Sequence, residues 1–198
     1  MPGPDPAPVA APSPLPAEPA VAPLIPVSDL FDSRVVLDAI AAGIRSEGAR
    51  GPGPRGRAIA VRHLSEAMAR ANARLAAAFA ARPHEARALI RAQADLTDAL
   101  VTATLAVATT HCHPASNPTE AERIALVAVG GYGRAEMAPQ SDIDLLFLSP
   151  WKITPWAESV VEAMLYMLWD MKLKVGHASR TVRDCLRQAR DDITSRTA

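Results

Sequence analysis

Residues 124–148 read IALVAVGGYGRAEMAPQSDIDLLFL: two apolar runs separated by a glycine-rich turn, the second opening on Asp142 and Asp144. The first run, 124–129, is short and apolar, with charge before it and Gly130-Gly131 after it, which predicts a strand covered on both faces. Two successive glycines remove every Cβ at its end. The backbone can then turn sharply and bring its N–H groups against an anion, with phosphate the expected one. In the second run, 142–148, residues two apart share a face, so Asp142 and Asp144 project together while Ile143 and Leu145 turn into the core. At a rise of roughly 3.3 Å per residue, the two carboxylates can converge on divalent ions about 3.5 to 4 Å apart. Hard oxygen ligands in this number suit Mg²⁺, which binds through one or two carboxylates plus substrate phosphates. A bare Asp-x-Asp is most often a solvated acidic turn. Two acids at the mouth of so apolar a strand have no packing reason to be there.

Two other glycine motifs fail on chemistry. Gly131-Tyr132-Gly133 after a strand hints at a dinucleotide turn, but Glu136 stands where a third glycine belongs and would repel pyrophosphate. A P-loop requires Gly-Lys-Ser/Thr, which the sequence lacks.

Gly130-Gly131, ten intervening residues and then Asp142-Ile143-Asp144-Leu145 resemble the signature of the DNA polymerase beta-like nucleotidyltransferase superfamily. The longer string GGYGRAEMAPQSDIDLLFL is similar, more narrowly, to the protein-PII uridylyltransferase family, also called the bifunctional uridylyltransferase/uridylyl-removing enzymes. A second patch, KVGHASRTVRDCLRQARDDITSRTA from residue 174 to the end, is similar to the segment that follows the site in that family. The resemblance implies an α+β fold: a helical N-terminal hairpin, then a small core of mixed sheet with covering helices, truncated at its C-terminus. It also implies transfer of UMP from UTP to a tyrosine of the PII signalling protein, with release of pyrophosphate. Asp142 and Asp144 would be the catalytic, Mg²⁺-holding pair. Full-length members continue into an HD-type hydrolase domain and glutamine-sensing ACT domains, for which 198 residues leave no room. The chain thus reads as an N-terminal portion.

Around this pair the residues offer further nucleotide contacts. The amides of Gly130 and Gly131 face the phosphates. Arg134, just past the turn, has a fork that reaches a triphosphate or closes an ion pair with Glu136. Ser141 either bonds a phosphate or caps the strand entry. Tyr132 is a packing or stacking residue rather than a base, because a phenol with a pKa near 10 stays protonated at neutral pH. The later strand, near 175–182, often carries a third acidic ligand in the wider superfamily. Here it offers only His177, Ser179 and Thr181, with Asp184, Asp191 and Asp192 further on. No third carboxylate is assigned, which keeps open a non-catalytic interaction module, and the residues do not identify the base, which keeps open a different nucleotidyltransferase, such as a protein or small-molecule adenylyltransferase.

The rest of the chain is read as support. Residues 1–27 form a Pro/Ala-rich tail expected to be disordered, residues 28–119 a helical region and residues 120–198 the core. Ser28-Asp29 predicts a helix cap. A loop at 48–56, with solvated arginines in or beside it (Arg50, Arg55 and Arg57), separates a short helix from two long amphipathic ones at 58–82 and 84–109. A further helix is expected over 157–173. His111-Cys112-His113 reads as a polar loop, since three adjacent ligands cannot easily face one ion. Equal numbers of basic and acidic residues, 21 each, argue against nucleic acid as a partner. Two distant cysteines fit a reducing cytoplasm, and no stretch reaches the length of a membrane span.

Overall fold

The computed structural model describes residues 21–48, 54–115 and 119–191; most of the tail, Arg50 and Asp192 lie outside them. Packed structure begins earlier than the tail reading places it. Leu24 is buried, its N–H donates to the Ala88 carbonyl at 2.9 Å and its own carbonyl accepts from Arg82 at 2.8 Å. One large aliphatic side chain and two hydrogen bonds outweigh the proline bias around it.

Helix α1 (Val27–Leu30) is followed by α2 (Ser33–Ser46). The cap falls on Asp32, not on Ser28-Asp29. The chain turns extended at Phe31, and the Asp32 carboxylate is the first acceptor beyond it, taking the N–H groups of Arg34 and Val35 at 3.0 and 3.1 Å. Helix α3 (Pro54–Ala81) starts four residues before the apolar periodicity, because proline fits a first helical position at no cost in hydrogen bonds. Arg55 and Arg57 therefore stand on a helix rather than in a loop. Arg57 lies 3.6 Å from Asp170 and stacks 5.2 Å over the Tyr166 ring. Helix α4 (Ala86–Val107) returns alongside α3 and widens at its end, where the His113 N–H reaches back to the Ala108 carbonyl at 2.8 Å. Cys112 is buried inside that wide turn, and burial pushes its thiol pKa up.

The sheet has the order β1-β2-β3, formed by β1 (Ala125–Ala128), β2 (Ile143–Ser149) and β3 (Val175–Thr181). β1 runs antiparallel to β2 and β3 runs parallel to it, the crossover being α6 (Pro155–Asp170). Pro155 opens α6 and the Thr154 hydroxyl caps it by accepting the Ala157 N–H at 3.2 Å. Between β1 and β2 lies a single helical turn, α5 (Gly130–Gly133), and α7 (Val182–Asp191) follows β3 directly. Ile143, Leu145 and Phe147 point from β2 into an apolar cluster that also takes in Leu64, Leu96, Leu100, Met164 and Leu168. Helices and sheet thus share one core, and the fold is α+β.

β1 departs from the sequence expectation of a strand covered on both faces. It lies at a sheet edge, with Ala125 and Val127 exposed. The described helices pack on the side of the sheet to which Phe147 points, so among the described residues the opposite face, which carries Val127 and Leu146 in register, stays open. No described helix is long and apolar enough to cross a membrane.

Candidate active site

Alternation along β2 buries Ile143, Leu145 and Phe147 and leaves the even-numbered positions on the open face. Asp144 is half-buried there. Asp142, one residue before the strand, has the same parity and is exposed. The glycine turn is brought against this strand by the register Ala128↔Leu145 and by the Val129 N–H, which donates to the Asp144 carbonyl at 3.1 Å.

Gly130 adopts φ 62°, a left-handed conformation that side chains resist, and a Cβ there would lie 3.0 Å from Asp144 Oδ2. Gly133 is fixed by a different neighbour: its Cβ would stand 2.6 Å from the Ala128 carbonyl oxygen. Gly131 has no such reason. The nearest atom to a Cβ there is the Glu136 carbonyl oxygen at 3.5 Å, an ordinary contact. Its bareness is not demanded by any neighbouring atom among the described residues.

The other sequence candidates are placed less directly. Arg134 is exposed and its Nε donates to Glu136 at 2.8 Å. A solvated pair of this kind is worth little, so the guanidinium can change partners at small cost. Ser141 is half-buried; its N–H donates to the Ala138 carbonyl at 3.1 Å. With Met137, Ile143 and Leu173 it lines a cavity of about 510 Å³ between the turn-to-strand loop and the α3–α4 pair.

Tyr132, inside the turn, is buried and donates its hydroxyl to Asp98 on α4 at 2.6 Å. Burial first, then the hydrogen bond and the charge of Asp98, push the phenol well above its ordinary pKa of 10.0. It anchors the turn to the helical pair and is no base. Neither the Asp98 tie nor the Gly133 constraint was assigned from sequence. The first joins residues 34 apart, and only the glycine spacing hinted at the second.

The donor set fits a hard divalent cation. Asp144 lies beside bare backbone, exposed Asp142 precedes it by two residues, the spacing of one strand face, and among the described residues neither has a hydrogen-bond or ion-pair partner to neutralise it. The described residues contain no group of three or more His, Cys, Asp or Glu able to hold a metal. Asp184, the first acid after β3, is otherwise engaged: it accepts the Thr181 hydroxyl at 2.6 Å and backbone N–H at 3.3 Å, while its own N–H donates to Thr181 Oγ1 at 3.1 Å. This is a capping box at the start of α7.

The family model described as glutamate-ammonia ligase adenylyltransferase matches residues 54–168, from α3 through most of α6. Three curated relatives, each named a bifunctional uridylyltransferase/uridylyl-removing enzyme, align along most of the chain. That of Cereibacter sphaeroides is 63% identical over 175 residues, covering 88% of this chain and 19% of the relative. That of Ruegeria pomeroyi is 51% identical, covering 85% and 18%, and that of Rhodospirillum rubrum 45% identical, covering 83% and 17%. The chain therefore spans about a fifth of the length of these relatives. No solved structure matches it. The chain, similar along most of its length to enzymes named bifunctional uridylyltransferase/uridylyl-removing enzymes, belongs to the nucleotidyltransferase-type family described as glutamate-ammonia ligase adenylyltransferase.

Proposed function

We propose that this chain carries the nucleotide-binding part of a uridylyltransferase, which moves UMP from UTP to a tyrosine hydroxyl of the PII protein and releases pyrophosphate. The observation that carries the reading is the Asp144 carboxylate lodged against Gly130, with exposed Asp142 two residues before it at the same strand parity and no counter-charge on either among the described residues. The names and identities of the relatives support uridine as the base.

In this reading Asp142 and Asp144 hold Mg²⁺. When bound, the ion neutralises charge on the triphosphate and its leaving group. The bare backbone at Gly130 and Gly131 admits the β- and γ-phosphates to hydrogen-bond distance of main-chain amides. Arg134 releases Glu136 and turns to a phosphate oxygen, and Ser141 donates to another. The acceptor's tyrosine hydroxyl gives its proton to water as its oxygen attacks the α-phosphorus in line; the bond to the bridging oxygen breaks and pyrophosphate departs. Tyr132 holds the turn in place through Asp98 and takes no proton in this step.

Incubation with α-labelled UTP, Mg²⁺ and PII tests the proposal. Label on PII is expected from the wild-type chain and is lost in Asp142→Ala and Asp144→Ala; label that survives both substitutions contradicts it. A second reading, adenylyl transfer, is favoured by the description of the matching family model. It requires label from ATP in preference to UTP.

A further inference from the structure

The parallel register sets Gly176 of β3 directly beside Asp144 of β2, so both positions face the open side of the sheet. Glycine inside a strand weakens it, having no side chain to pack and more freedom to lose. Nothing in the backbone asks for it here, since the glycines with positive φ among the described residues are Gly48 and Gly130. What a side chain at 176 would meet is Asp144 itself: a Cβ would overlap Oδ1 and lie 3.6 Å from the carboxyl carbon. The other oxygen, Oδ2, lies against Gly130 across the gap. The carboxylate therefore has one oxygen against each of two glycines from different elements. No hydrogen bond within the described residues orients it.

We infer that Gly176 is a positioning residue for Asp144: its missing side chain, with that of Gly130, sets the rotamer in which this carboxylate meets a nucleotide-bound divalent ion. The inference rests on the reading of Asp144 as a metal ligand. Because Oδ1 is the free end of a side chain, an alanine at 176 is accommodated by turning the carboxylate rather than by moving the strand. The cost falls on the site and not on the fold.

The test uses this chain with Mn²⁺ and UTP, reading the ion by electron paramagnetic resonance, and the metal-free chain, reading the aspartates by carboxyl ¹³C NMR. Gly176→Ala is expected to keep the wild-type melting temperature and to bind Mn²⁺ about tenfold more weakly, the scale of loss when a ligand's support is removed. The Asp144 carboxyl resonance moves and that of Asp142 does not. An unchanged affinity with an unmoved Asp144 resonance overturns the inference. If the wild-type chain captures no Mn²⁺ with any nucleotide, the functional reading falls separately. The resonance alone then decides, a shift upholding the hold of Gly176 on Asp144 and no shift refuting it.

Discussion

At Gly133 a Cβ would run into the Ala128 carbonyl, whereas at Gly131 there is room for one. The two positions should therefore answer differently to the same substitution. Gly133→Ala is expected to destabilise the fold by about 1–3 kcal/mol, the range for forcing extra atoms into packed structure, as read from urea unfolding. Gly131→Ala should unfold like the wild type and lose nucleotide affinity. Tyr132 carries a pH signature. Its phenol is raised in the folded chain, so the unfolded state sheds a proton first. The stability it contributes is intact below its ordinary value of 10.0 and is lost as the pH rises above that. Melting temperatures measured on either side of this pH should fall more steeply for the wild type than for Tyr132→Phe. The sequence made the two acids and the double glycine legible, because strand parity and a missing Cβ are local properties. It left Arg134 between a phosphate and Glu136, since a solvated guanidinium chooses its partner by what else is present.

The existence of α6 was legible from its apolar face, but not its ends: Pro155 and Thr154 start it two residues before the helix expected over 157–173, and Thr181 with Asp184 starts α7 by a cap that the sequence reading did not assign. Thr181→Ala should fray α7 at a cost of about 1 kcal/mol, typical of a lost cap, with faster amide exchange in its first turn. Asp184 is held below its ordinary pKa of 3.8, chiefly by the Thr181 hydroxyl and then by its N–H. Its contribution is present above that value and disappears as the pH falls below it. β1 was misjudged because an apolar run reports how oily a segment is, not whether a neighbour covers it. Val127 looks like a core residue in sequence and lies at an open edge in the fold. The start of α3 was missed because its first turn, Pro54 to Arg57, has no apolar periodicity to read.

At the scale of the molecule, the helical pair and the sheet are joined by a shared apolar cluster and by the Tyr132–Asp98 bond. Such contacts join residues far apart in sequence, and periodicity within a segment does not reveal them. A single cooperative unfolding transition is expected by calorimetry. Phe147→Ala, at a buried position in the central strand, should lower stability by about 3–5 kcal/mol without splitting that transition. The central claim is that Asp142 and Asp144 together hold a divalent ion for a nucleoside triphosphate. Calorimetric titration of this chain with UTP, with and without Mg²⁺, examines it most directly. Binding that requires Mg²⁺ and vanishes in both Asp142→Ala and Asp144→Ala is the expected result; binding indifferent to the metal, or unchanged in either variant, would contradict it.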